Sequence, residues 1–274
     1  MGGPTRAIAA SVTVLYDEIG SRYTTTRGTD PRIATAIWTA LGDAGSVLNV
    51  GAGSGSYEPS GLLVVALEPS VTMIEQRRAN RGDVVRAQAE AIPFRTGAFD
   101  VTMSVLSDHH WTHRRRGLLE LRRVARRRVV IFTFDPSTSS GFWLTRDYLP
   151  SFVDLIERRY RKPGAWVREL RDLYGDVQIV PIPIPADCRD GFLGAFWRRP
   201  AAYLDPQVRA GISVFARLAP DDVADAVGRL ELDLARGVWH ARNRHLLELD
   251  ELDLGYRLVV ASVDDSSHER LGAS

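Results

Sequence analysis

The chain of 274 residues contains one cysteine, Cys188. That excludes an internal disulfide, a multi-cysteine metal site and a dithiol redox pair. Lysine is equally scarce: Lys162 stands alone, and arginine supplies the rest of the positive charge. Neither sign is in excess. The formal net charge is +1, which removes the usual electrostatic reason to expect nucleic acid or an anionic membrane as partner. Long hydrophobic runs are missing as well. The stretch from Ala7 to Tyr16 is too short to span a bilayer. It passes into Asp17-Glu18 without the small-residue cleavage site of a signal peptide. Arg6 breaks the N-myristoylation pattern that Gly2 begins. The expectation is a cytoplasmic protein with no membrane partner. What is present is ordinary: 45% hydrophobic and 25% charged residues, a composition that folds. The length suits one large α/β domain with an embellishment, or two small domains.

Short apolar runs alternate with helical stretches through the first half, the pattern of a parallel sheet with crossover connections. Strands are expected at Ser46 to Val50, Leu62 to Leu67, Val84 to Gln88, Asp100 to Leu106 and Val129 to Phe134. Helices are expected at Pro31 to Leu41, Val71 to Ala79, Arg115 to Ala125 and Ser151 to Arg161. Asp30 and Ser70 are placed to cap the first two of these. Later, Gln178 to Pro185 reads QIVPIPIP. Successive N–H groups of a strand point to opposite edges, so Pro181, Pro183 and Pro185 all lack the donor on one edge. Such a strand pairs on its other side only and belongs at the border of a sheet. Tyr256 to Ser262 is the apolar run suited to pair with it, and a mostly helical insert, roughly 190–250, separates the two.

The run SVLNVGAGSG places Gly51, Gly53 and Gly55 directly after a buried strand. Glycine there permits a sharp turn and lets a ligand approach bare backbone. A turn that binds nothing is the plainer alternative, and NAD, FAD or a nucleotide are rival ligands. Spacing decides against a dinucleotide, because a pyrophosphate needs the exposed N–H groups of a helix N-terminus behind the loop. Only Ser56 to Gly61 intervene before the next strand, and Pro59 interrupts them. A cofactor without phosphate loses little from that truncation. Glu68 ends the second strand, where a carboxylate can accept hydrogen bonds from both ribose hydroxyls. A solvated strand-end carboxylate is the plainer alternative.

From Asn49 to Trp111 the chain resembles the class I S-adenosylmethionine-dependent methyltransferases, of the group that includes the ubiquinone and menaquinone methylases. The amino-terminal YDEIGSRYTTTRGTDPRI and the strand RRVVIFTFDP add to the resemblance. It implies S-adenosylmethionine as cofactor. It also implies a Rossmann-like α/β fold of seven strands, mostly parallel with one antiparallel strand, in a single domain spanning 1–274. Within it, residues 1–45 would cover the cofactor, 46–136 would form the binding core, and 190–250 would cap the acceptor. By the same resemblance Gly51, Ala52, Gly53 and Ser54 lie under the methionine part and Glu68 holds the ribose. Pro69, Ser70 and Met73 flank the adenine, and Ala89 and Glu90 complete that wall. Gln88 stands where the family usually has an aspartate; its carbonyl still accepts the adenine amino hydrogen bond, without charge assistance. Ser104 is expected to face the methionine. Tyr16, Tyr23 and Arg27 match the segment that closes over the cofactor, Arg27 toward the methionine carboxylate and a tyrosine face toward the sulfonium. For Tyr16, packing of an amphipathic helix is an equal alternative.

Methyl transfer from a sulfonium is an in-line displacement in which the protein supplies alignment, dryness and sometimes a base. Ser107-Asp108-His109-His110-Trp111 follows the fourth strand on the face where such sheets do chemistry. His109, with His110 second, is therefore the candidate general base, against the alternative that these rings pack and bond locally. Asp108, His109 and His113 suggest a metal only weakly, since no third ligand is dictated, and none is expected. The arginine groups Arg114 to Arg116, Arg122-Arg123 and Arg126 to Arg128 flank apolar residues at helical spacing, as on a surface helix packed on the sheet. A nucleic-acid patch is the sharper, less favoured reading. Cytosine C5 chemistry lacks its Pro-Cys pair, base amino-methylation lacks its Asn/Asp-Pro-Pro-aromatic loop, and arsenic methylation lacks its cysteines. The insert aromatics Phe192, Phe196, Trp197, Tyr203 and Trp239 suit a cover over an apolar or aromatic acceptor, or simply the insert's own core. The expectation is methyl transfer to a small molecule. A cofactor-binding protein that no longer methylates and a non-catalytic binding subunit are the alternatives.

Overall fold

A computed structural model describes residues 27–77, 82–159 and 164–263. Within them the apolar runs form β1 (Ser46–Val50), β2 (Leu63–Leu67), β3 (Val84–Val85), β4 (Phe99–Val105), β5 (Ala125–Phe134) and β6 (Val177–Pro181). A small ladder of β7 (Ile184–Pro185) and β8 (Glu251–Leu252) precedes β9 (Tyr256–Ser262). The main sheet has seven strands in the order β3-β2-β1-β4-β5-β9-β6. Every pair is parallel except those of β9, which runs antiparallel to both β5 and β6. This is the Rossmann-like architecture that the sequence leads one to expect.

The helices are α1 (Pro31–Leu41), α2 (Val71–Glu75), α3 (Arg114–Val124), α4 (Pro150–Arg159), α5 (Ala165–Tyr174), α6 (Pro206–Ala210), α7 (Pro220–Ala235) and α8 (Val238–Arg242). Asp30 caps α1 by accepting from the Arg32 N–H at 3.0 Å, with Pro31 in the first turn. Burial alone would raise the Asp30 carboxyl, but the Arg32 guanidinium and the Arg189 and Arg32 backbone N–H groups outweigh it and bring it to about 2. Strand alternation sends Val47, Met103, Val130 and Phe132 to one face, against α1 and the insert. Leu48, Val129, Ile131 and Val259 go to the other, against α3 and α5. The two cores enclose the sheet, so its only functional outlet is at the strand ends.

The proline-marked segment behaves as its parity demands. Ile182 N–H donates to Tyr256 O at 2.9 Å and Ala186 N–H to Asp250 O at 2.8 Å, while the proline nitrogens fall on the other edge. The expected single strand is nevertheless divided: it leaves the sheet at Pro181 and resumes as β7 with a different partner. Two further expectations are corrected, and one helix is added. β5 begins at Ala125 rather than Val129, because Arg127 and Arg128 hold Asp43 and the Ala40 carbonyl beyond the sheet's lower rim. β3 is two residues long, leaving Gln88 in the following loop. α5 has no counterpart in the reading of the sequence; its Trp166, Leu170 and Leu173 fill the core behind α3.

Aromatic side chains join the insert to the segment after β5 within the first of these cores. Trp143 Nε1 donates to Trp197 O at 2.8 Å, and Trp197 Nε1 to Ile184 O at 2.9 Å. The Trp143 ring also meets Trp239 edge-on at 5.2 Å between centroids. Replacing Trp143 with alanine is expected to cost about 3–5 kcal/mol, the usual price of emptying a buried aromatic site. Urea unfolding followed by circular dichroism checks it; an unchanged midpoint would show that this core is dispensable.

Candidate functional site

β1 ends at Val50 and the chain folds straight back over β2. Gly51 and Ala52 N–H groups both donate to Leu67 O, at 2.8 and 3.1 Å. The turn requires positive φ at Gly51 (69°) and Gly53 (54°), where a Cβ is strained. At Gly51 a Cβ would also stand 1.8 Å from Ser107 Oγ, so the loops after β1 and β4 are in contact only because residue 51 has no side chain. No helix follows the glycines before β2. Glu68, buried at the end of β2, accepts from Gly53 N–H at 2.8 Å and from Ser70 N–H at 3.0 Å. One carboxylate thus fixes the glycine turn to the start of α2. Underneath, Glu58 accepts from Asn49 Nδ2 at 3.0 Å and from Arg77 at 2.9 Å, a buried polar support for the loop.

These loops enclose one side of a cleft at the carboxyl ends of the strands. Gly51, Ala52, Gly53, Ser54, Glu68, Pro69, Ser70, Met73, Gln88, Ala89 and Glu90 all line it, together with Arg27. Tyr16 and Tyr23 lie outside the described residues. Ser104 does not line the cleft: it is fully buried within β4, and Val105, Leu106 and Ser107 take the rim. Arg27 reaches the cleft already paired, its Nε 2.6 Å from Asp190 Oδ1 and its Nη2 3.2 Å from Oδ2.

The two histidines exchange their expected places. Residues 108–110 form a single 3-10 turn, in which neighbours point about 120° apart. Asp108 points inward, accepting from Arg114 Nε at 2.8 Å and Thr133 Oγ1 at 2.6 Å. His110 lines the cleft and His109 does not; the latter's Nδ1 lies 4.0 Å from Asp108 Oδ1. His110 Nδ1 is 2.7 Å from the Arg217 guanidinium, which comes from the insert. Among the described residues no three histidine, cysteine, aspartate or glutamate side chains group as a metal site. Cys188 is buried, and burial pushes its thiol up to about 12, far from nucleophilic use.

Several cleft-shaping residues escape the reading of the sequence. Asn49 lines the cleft floor with its Oδ1 buried and without a partner among the described residues. Tyr57, at φ 65°, donates its hydroxyl to Asp190 at 2.9 Å. Glu120 and Arg123 clamp the loop after β3 through Ile92 N–H and the Ile92 and Phe94 carbonyls.

A methyltransferase-domain family matches residues 48–133. The crystal structure of a protein from Anabaena variabilis, described as a methyltransferase from an antibiotic biosynthesis pathway, superposes with a TM-score of 0.78. It is 31% identical, and the match covers 86% of this chain and 98% of that one. The chain belongs to the class I S-adenosylmethionine-dependent methyltransferases. Its cofactor is S-adenosylmethionine. The demethylmenaquinone methyltransferase of Renibacterium salmoninarum is 27% identical over 173 residues, which cover 57% of this chain and 73% of that protein. The tRNA (carboxymethyluridine(34)-5-O)-methyltransferase alkbh8 of Xenopus tropicalis is 28% identical over 115 residues, 41% of this chain. The methyltransferase spans only 18% of the length of that relative.

Asp108 sits at the hinge between the methyltransferase's strand ends and α3. Burial would raise its carboxyl, yet Arg114, His109 and the Thr133 hydroxyl together hold it below the ordinary value of 3.8. A depressed folded value means that its stabilisation is complete above the ordinary value and is lost as pH falls through the lowered one. Asp108→Asn is expected to cost about 3 kcal/mol at neutral pH, near the lower end for breaking a buried pair, since Arg114 keeps Glu169. Urea titrations at several pH values check it. The gap between variant and parent should close in acid; a gap independent of pH would contradict the assignment.

Proposed function

We propose that this protein methylates a small apolar or aromatic molecule, received in the cleft at the loop after β4, where Arg217 of the insert meets His110. S-adenosylmethionine, when bound, supplies an electrophilic methyl group on its sulfonium. Gly51 and Gly53 offer the bare backbone against which its methionine part would rest, and Asn49 Oδ1, buried and without a partner among the described residues, suits the methionine ammonium. The buried Glu68 carboxylate suits the ribose hydroxyls; Met73, Pro69 and Gln88 suit the adenine. The absence of a helix behind the glycines fits a ligand without a pyrophosphate. Beside the glycine turn, Val105, Leu106 and Trp111 add an apolar rim, and the chain's part in the reaction is to align acceptor and methyl group and exclude water.

The single observation that carries the acceptor side is the Arg217–His110 contact, by which the insert reaches the rim of the cleft. It favours a cap over a small molecule. The alternative of a tRNA acceptor is weakened by where the arginines go. Arg114 holds Asp108 and Glu169, Arg123 holds Glu120, Arg126 holds Asp100 and Arg127 holds Asp43. Arg114 is buried in its pairs, and the surface pairs of Arg126 and Arg127 match charge that a phosphate-binding face would leave unmatched. Incubating the protein with methyl-labelled S-adenosylmethionine and a cell extract tests the proposal. Label is expected in a low-mass product as the cofactor becomes S-adenosylhomocysteine. Label confined to the RNA fraction would overturn the small-molecule reading, and binding without turnover would leave a non-methylating protein.

Cofactor recognition has a separate test. Calorimetry should detect S-adenosylmethionine and no NAD. Glu68→Ala should weaken the former by about 1.5–3 kcal/mol, the range for hydrogen bonds to a charged group. An unchanged dissociation constant would remove Glu68 from the cofactor site. Gly53→Val should abolish binding, since it sets a branched side chain at positive φ on the floor.

A further inference from the structure

Resting on the methyl-transfer reading above, we infer that His110 is a hydrogen-bond donor to an ionised acceptor oxygen, such as a phenolate or enolate, and that Arg217 sets it in that role. The guanidinium of Arg217 has five N–H groups and no lone pair. At 2.7 Å from His110 Nδ1 it can only donate, so Nδ1 is the accepting, unprotonated nitrogen. The neutral ring then carries its one proton on Nε2. A general base must present a lone pair to the acceptor. Nε2 has none, and Nδ1 directs its own toward Arg217. Protonating Nδ1 would break that contact and set two cations side by side. The side chain that lines the cleft is thus built to give a hydrogen bond, with a permanent positive charge behind it. The ring is held further by His109, whose centroid lies 3.9 Å away.

The surroundings match such a ligand. Val105, Leu106 and Trp111 give the same wall an apolar character, suited to a flat ring carrying one negative oxygen. In the transfer, a lone pair of that oxygen forms the new O–CH3 bond while the S–CH3 pair leaves with sulfur. The anion and sulfonium become a neutral ether and a thioether, and no proton has to be removed in the step. Arg217 touches neither partner in this scheme; it is a positioning residue acting through His110.

The test uses the protein loaded with S-adenosylhomocysteine, with 4-nitrophenolate as probe at a pH where the phenol is ionised, and nitrobenzene as its neutral counterpart. Long-range ¹⁵N NMR should find His110 protonated on Nε2. Equilibrium dialysis should show phenolate bound about 10- to 100-fold more tightly than nitrobenzene, the ratio for a charge-assisted hydrogen bond. His110→Gln, whose amide N–H reaches the place of Nε2, should keep most of that preference, and His110→Leu should abolish it. Arg217→Gln should admit the other tautomer and lower the preference. A proton on Nδ1, equal affinity for both probes, or a preference that survives in a folded His110→Leu would each overturn the inference. Because S-adenosylmethionine affinity and extract methylation are measured separately, those results would leave the proposed function standing.

Discussion

A carboxylate in an apolar interior is stable only if its oxygens are saturated with donors, and Asp190 meets that condition by drawing three segments together. It accepts from the Arg27 guanidinium, from the Gly28 and Gly191 N–H groups, and from the Tyr57 hydroxyl. Arg27 and Gly28 enter α1, Tyr57 follows the glycine turn, and Asp190 opens the insert. No two of these are neighbours in the chain. The relative placement of cofactor loop, first helix and insert is thereby set by one buried charge, and the wall of the cleft follows from it.

The same logic recurs around the cleft. Glu58 with Arg77, and Asp108 with Arg114, are further buried pairs, each beneath a loop that must hold an unusual course. Arginine suits this use better than lysine, since its planar fork satisfies a carboxylate and a carbonyl together. That gives structural meaning to a composition almost without lysine. Through α3 and β5, Arg114, Arg123, Arg126 and Arg127 engage carboxylates and Arg122 and Arg128 engage carbonyls, while Arg115 and Arg116 lie exposed.

Much of the fold is legible because it rests on local chemistry. The glycine turn, the Asp30 and Ser70 caps, the buried strands and the proline parity of the edge strand all follow from conformational rules acting within a few residues. Legibility fails where partners are distant. The sequence shows two adjacent histidines and offers no means of ordering them; the turn at 108–110, fixed by Arg114 and Thr133 on other elements, sends His110 to the cleft and His109 aside. Ser104 misleads for a related reason, since a strand residue at the right depth still falls into the sheet if the rim begins one residue later. α5 stayed hidden among arginines and acidic residues whose apolar face emerges only once α3 is there to cover it.

The amino-acid sequence by itself determined the class of fold, the cofactor and the glycine turn and carboxylate that line one side of the cleft, because a glycine turn after a strand and a carboxylate at the end of the next are set by short-range sterics and strand geometry. The tertiary structure alone decided which of the two histidines lines the cleft, which arginine meets its ring, and how the insert is tied to the loop. Those depend on Arg217, Asp190 and Arg27, whose charges find partners more than a hundred residues away, and no local rule specifies a contact that only the closed chain can make.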